Sequence, residues 1–241
     1  PAFDRLSGRT HRTEHIHQIK SITRGRNPHL KYQNFFLADL FSEYDSINLY
    51  HHLHPHRSKF SPYFVQYLDL WFADERNHAD GFFELNRLLF GSSEEELIEQ
   101  LKIRTGDFGD LEEVLSNEFN LLLLFAYDEY VSVKTYKKDT FYSKFGHPTF
   151  NTWIKNLIAD EAIHFGNAIK ILKKNHEPQL DKAEKILHSI VGLEENTYKN
   201  TFLFDHDGPH FLLNSTELGD VVIEAILSTL AKGRKRKITL I

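Results

Sequence analysis

The chain is 241 residues long, enough for one large domain with an ample core, and its net charge of −5 gives no general attraction for nucleic acid. Its 41% hydrophobic and 13% aromatic content is ordinary for a folded protein, but cysteine is absent. That excludes disulfides, thiolate-bound zinc, iron–sulfur clusters and thiol nucleophiles, so any metal must be held by oxygen and imidazole nitrogen. No apolar run reaches the roughly 18 residues of a membrane span, and none is expected. The opening stretch PAFDRLSGRTHRTEHIH carries no secretory-type apolar segment, which makes a cytoplasmic location the expectation.

Residues 1–31, polar and rich in Arg and His, read as an N-terminal arm. Apolar residues at helical spacing predict a first helix over 32–53, and Pro55 and Pro62 bracket the turn after it. A second helix then runs to about Phe90. Gly91-Ser92-Ser93 ahead of Glu94 to Glu96 is a helix stop and a new capped start, giving a short helix near 94–103. After GDFGD a long helix is expected from about Leu111 to Lys138. FGHP at 145–148 breaks the chain, and a fourth long helix follows from about Thr149 to Asn175, closed by Pro178. Beyond it come a helix near 179–198, the loop FLFDHDGPHF and a helix near 216–232. No stretch shows strand alternation. The expectation is an all-α single domain, with a four-helix bundle over 32–175 and additional C-terminal helices over 176–241.

Two of those helices carry the same signature, DERNH at 74–78 and DEAIH at 160–164. A bare Glu-x-x-His is weak, since about one copy is expected by chance, and Glu14–His17 in the polar arm is such a decoy. Requiring Asp before the Glu lowers the expectation to about 0.07 copies. Residues three apart share a helix face, so Glu75 pairs with His78 and Glu161 with His164. The rest of the Glu75 face is Leu68, Trp71 and Phe82, and that of Glu161 is Ile154, Leu157 and Ala168. Both polar pairs therefore fall on apolar, inward stripes that hold no Lys or Arg. Burying carboxylates there is costly unless a cation neutralises them, and a metal ion is the economical one.

The other two long helices each carry one carboxylate on their apolar stripe. In the first the stripe reads Phe36, Leu40, Glu43, Ile47, Tyr50, and in the third Leu122, Phe125, Glu129, Val133, Tyr136. Glu43 precedes Glu75 by 32 residues, and Glu129 precedes Glu161 by 32. Equal spacing means two helix hairpins of similar length, bringing each lone Glu to the height of its Glu-x-x-His.

The order Glu43, Glu75-x-x-His78, Glu129, Glu161-x-x-His164 resembles the ferritin-like, carboxylate-bridged di-iron superfamily. Its oxygen-activating branch includes acyl-carrier-protein desaturases, aerobic magnesium-protoporphyrin ester cyclases and bacterial multicomponent monooxygenases. The resemblance covers about residues 35–172. It implies a ferritin-like bundle holding two iron ions, Fe/Fe with Mn/Fe also open. Glu75 and Glu161 would bridge the irons or chelate one, His78 and His164 would each bind one, and Glu43 and Glu129 would be terminal ligands. Asp74 and Asp160 resemble the family's acids that hydrogen-bond a ligating imidazole and fix its tautomer. Ser132 falls where the desaturases carry a hydroxyl beside the oxygen-binding face. The chain departs from several relatives in having Asn77 and Ile163, not Arg, just before each motif His, with Arg76 one position earlier.

The resemblance implies an O2-dependent non-haem di-iron oxidoreductase: an oxygenase, hydroxylase or desaturase acting on a largely apolar small-molecule or carrier-bound substrate. Carboxylate and imidazole suit ferrous and ferric iron. Electrons would come from an external ferredoxin or reductase, because no flavin or nicotinamide motif is visible. Phe36, Phe72, Phe82 and Phe125 could line a substrate channel or be plain core. The alternatives are a ferroxidase or iron-handling ferritin-like protein, or a radical-generating subunit that uses Tyr44, Tyr127 or Tyr130. The four His of HHLHPH at 51–56 read as a solvated loop before a metal site, and Asp205, His206, Asp207 and His210 as a surface turn. GRKRK at 233–237 is a solvated tail or a grip for an acidic carrier. A homodimer is what the relatives suggest.

Overall fold

The computed structural model describes residues 30–104, 106–138, 142, 147–193 and 215–232. The arm before residue 30 with its Glu14–His17 decoy, the loop FLFDHDGPHF and the GRKRK cluster lie outside the described residues. The architecture is an all-α bundle, with no strand among the described residues. Its helices are α1 (Leu30–Leu53), α2 (Pro62–Phe90), α3 (Glu94–Lys102), α4 (Glu112–Leu115), α5 (Glu118–Lys138), α6 (Pro148–Asn175), α7 (Ala183–Leu193) and α8 (Ser215–Ala231). None is long and apolar enough to cross a membrane.

Local chemistry sets the boundaries. The Ser61 hydroxyl accepts from the Phe64 amide at 3.3 Å and Pro62 opens α2, while Gly91, at φ 71°, ends it in the left-handed conformation that glycine adopts freely. Ser93 and Glu96 form a reciprocal capping box on α3. His147 Nδ1 accepts from the Thr149 amide at 3.2 Å, and Pro148 occupies the first turn of α6.

The expected helix from Leu111 to Lys138 is broken. A 3₁₀ turn at Gly109–Leu111 leads into the single turn α4, and α5 starts afresh at Glu118. Asn117 causes the restart, because its side-chain oxygen accepts from the Asn120 amide at 3.0 Å. Residues 54–59, expected as a loop after α1, wind into a 3₁₀ helix; His51, His52, His54 and His56 are exposed along this stretch. The helix expected near 179–198 is a 3₁₀ segment, Glu177–Lys182, followed by α7.

Helices α1 and α2 pack along each other as one hairpin, and α5 and α6 as the other, with α2 against α6 across the bundle. α7 and α8 pack together onto α5, and α8 also reaches α6. The core is split into two layers. One gathers Leu49, Phe64, Leu68, Trp71, Leu122, Phe125 and Leu172; the other gathers Phe36, Leu40, Phe82, Leu85, Phe150 and Leu157. On all four long helices a band of buried polar residues separates the two.

Candidate metal centre

The dividing band holds Glu43, Glu75, His78, Glu129, Glu161 and His164, none of them more than 5% exposed. All six residues singled out as ligands therefore meet at one level of the bundle. They form two overlapping groups. Glu43, Glu75, His78 and Glu161 offer ligand atoms within 4.8 Å of one another, as do Glu75, Glu129, Glu161 and His164. Glu75 and Glu161 belong to both. Each group could hold a metal ion.

Both imidazoles point the same edge inward. His78 Nδ1 lies 3.4 Å from Glu43 Oε2 and 3.3 Å from Glu161 Oε1. His164 Nδ1 lies 3.2 Å from Glu129 Oε2, 3.2 Å from Glu161 Oε2 and 3.4 Å from Glu75 Oε1. The outer edges face the motif acids: His164 Nε2 is 3.1 Å from Asp74 Oδ2, and His78 Nε2 is 3.7 Å from Asp160 Oδ2. Asp74 and Asp160 thus stand behind the histidines, each behind the other motif's ring. An Nε2–H held by the outer carboxylate leaves Nδ1 as a lone-pair donor toward the cluster.

The electrostatics are those of acids and imidazoles crowded together away from water. Burial, reinforced by the charges of Glu161 and Glu43, pushes Glu75 well above the usual carboxylate range. Burial likewise raises Glu129. Burial alone would pull both imidazoles down, but Glu161 and Glu43 around His78, and Glu129 with Asp74 around His164, outweigh it and hold both well above the usual value. Glu161 goes the other way: burial would raise it, yet His78 and His164 keep it below its ordinary range. Glu75 Oε1 and both ring nitrogens of His78 are buried without a hydrogen-bond partner. Orphaned acceptors and ring nitrogens cost stability unless something else binds them. Four buried carboxylates would balance two divalent cations in charge, and carboxylate oxygen and imidazole nitrogen are donors that such cations accept.

Beside the cluster is a small polar cavity lined by Ser42, Glu43, Ser46, Glu75, Asp128, Glu129, Ser132 and Glu161. Ser132 is on this wall. Ser46 follows Glu43 by three as Ser132 follows Glu129, so the wall repeats the symmetry of the ligands. Phe36, Phe82 and Phe125 are fully buried in the two core layers, and Phe72 stacks on Tyr50 at 3.9 Å between ring centres.

Sequence reading missed two donors that touch the carboxylates. Trp71 Nε1 donates to Glu129 Oε1 at 2.6 Å, and the Tyr136 hydroxyl donates to Glu43 Oε1 at 2.6 Å. Both stood on the apolar stripes, where aromatic residues read as core. Their only early signal was a polar tip placed four or seven residues from a ligand. Of the tyrosines singled out as radical candidates, Tyr127 is buried in the core and Tyr130 packs on Phe165 at 5.3 Å, while Tyr44 lies against the second core layer. A buried phenol that also feels the cluster is Tyr67, raised by burial and by the Glu129 charge. No family model matches the chain, and no curated protein or solved structure matches it either.

Proposed function

We propose that the chain is a ferritin-like, carboxylate-bridged di-iron protein that activates O2, an oxidoreductase of the oxygenase, hydroxylase or desaturase type. The observation that carries this reading is the sharing of Glu75 and Glu161 between two ligand groups, each completed by one histidine and one further glutamate. Glu75 and Glu161 would bridge, His78 and Glu43 would serve one iron, and His164 and Glu129 the other.

Iron held by these residues would supply the electrons for reducing O2 and the oxidising power for C–H chemistry. The protein's own contribution is placement. Asp74 would keep the Nε2 proton on His164, Asp160 stands 3.7 Å behind His78 in the matching place, and apolar layers pack on both sides of the cluster. A separate ferredoxin or reductase would return the electrons, and an apolar or carrier-bound molecule would be the substrate.

The ferroxidase reading stays in view because the cavity beside the cluster is polar and hydroxyl-lined, which suits water or a cation. One experiment addresses both. The metal-free protein is loaded anaerobically with Fe(II), exposed to O2 and followed by visible absorption. Two irons per chain and oxygen uptake are expected. With excess Fe(II), an oxygenase stops at the two bound irons, whereas a ferroxidase turns over the excess. No stoichiometric binding of iron or manganese would overturn the proposal.

A further inference from the structure

The two donors to the terminal carboxylates share one geometry. Glu43 Oε1 accepts from the Tyr136 hydroxyl, while its other oxygen, Oε2, faces His78 Nδ1 at 3.4 Å. Glu129 Oε1 accepts from the Trp71 indole, while its Oε2 faces His164 Nδ1 at 3.2 Å. In both cases one carboxylate oxygen is taken by a buried donor on another helix and the second is turned into the cluster. The donors are fixed themselves. Trp71 is 1% exposed with its ring edge-on to Phe125 at 4.7 Å, and Tyr136 is 5% exposed and packed against Phe82 and Tyr142. Neither an indole N–H nor a phenol O–H is a metal ligand while it donates, so each occupies one lone pair of the oxygen it holds and fixes the orientation of that carboxylate.

We propose that Trp71 and Tyr136 are positioning residues that restrict Glu129 and Glu43 to binding metal through one oxygen each, one residue governing each of the two ions. A carboxylate freed of its donor would swing to chelate with both oxygens, and a charge-assisted hydrogen bond to a buried carboxylate is strong enough to prevent this. The hydrogen bonds hold coordination positions open on both ions, where an incoming ligand would have to bind. This rests on the metal reading above.

The test uses the full chain, freed of metal and titrated anaerobically with Co(II), whose ligand-field absorption weakens as coordination number rises. Tyr136→Phe and Trp71→Phe each remove a donor. Tyr142→Phe is the control: its hydroxyl donates to Asp39 at 3.0 Å, the same buried phenol–carboxylate pair placed off the ligand set. Wild type and Tyr142→Phe are expected to bind two Co(II) with the same spectrum. Tyr136→Phe and Trp71→Phe should each lower the band intensity of one of the two ions, as its coordination number rises, and shift the affinity of that ion alone. Should Trp71→Phe fail to fold, Tyr136→Phe alone decides. Two ions bound with wild-type spectra and affinities in the donor variants would overturn the positioning role and leave the metal centre standing. No cobalt taken up by wild type would overturn the metal centre and this role together.

Discussion

His164 Nε2 lies 3.1 Å from Asp74 Oδ2, although 90 positions of sequence and three helices separate them. Asp160 stands in the reciprocal place behind His78, at 3.7 Å. Each DExxH therefore supplies the acid for the other's imidazole, so the two motifs are coupled into one unit. Asp74→Asn or Asp160→Asn should weaken metal binding by about 10–100-fold with the bundle still folded. The crossing makes a sharper claim. Asp74→Asn should cost little more once His164 is already Ala, but should add fully to His78→Ala. A chelator-competition cycle reads this directly, and the opposite pattern would pair each Asp with its own motif instead.

Removing a ligand differs from removing its support. Glu75→Ala or His164→Ala should lower bound metal to one ion per chain or none, because Glu75 belongs to both groups and His164 completes one. Glu14→Ala, in a Glu-x-x-His with no apolar stripe around it, should leave stoichiometry at two. Elemental analysis of the three purified variants is the measurement. Metal loss from the Glu14 variant would show that spacing alone had misled the choice of motif.

Those contrasts also show what the sequence could carry. Glu43, Glu75, Glu129 and Glu161 were legible because a charge on an apolar stripe is expensive and needs a reason, and the repeated 32-residue interval tied the four to one level. Trp71 and Tyr136 were not legible, since an aromatic on that stripe is what any core would hold and its polar tip leaves no periodic trace. The break before α5 was hidden for another reason. Apolar spacing continues past Ser116-Asn117, and only the Asn117 cap, a short-range hydrogen bond, stops one helix and starts the next. Crossed Asp–His pairing could not be read at all, because adjacency in sequence favours the wrong partner.

Asp45 is fully buried on α1 and is held by the Arg104 guanidinium, which also lies 4.4 Å over the Phe41 ring. The pair ties the connection between the hairpins to the outside of the first one, away from the ligands. Arg104→Ala leaves the Asp45 charge buried without its cation and should cost about 3 kcal/mol in urea unfolding. Metal stoichiometry should stay at two. A variant as stable as wild type would mean that water reaches Asp45 once the guanidinium is gone.

The metal-free and metal-bound proteins should answer pH in opposite directions. Without metal, His78 and His164 hold their protons to well above the usual imidazole value because acids surround them. A raised imidazole stabilises the fold fully below its unfolded pKa of about 6.5, and that contribution is lost as pH climbs through the folded value. Glu75 and Glu129, raised mainly by burial, slope the same way, their contribution complete below about pH 4.3 and lost as pH rises from there. Glu161, held low, contributes above that pH and loses its share only as pH falls. The Tm of the metal-free protein should accordingly drop between pH 6 and 8.5. Metal must displace the same protons to reach Nδ1 and the raised carboxylates, so affinity should rise with pH, by up to about tenfold per unit for each proton released. The extra Tm conferred by saturating Mn(II) should therefore grow over the interval in which the metal-free Tm falls. Parallel slopes would mean that the protons lost on raising pH and those displaced by metal sit on different groups, and would remove His78 and His164 as the source of both.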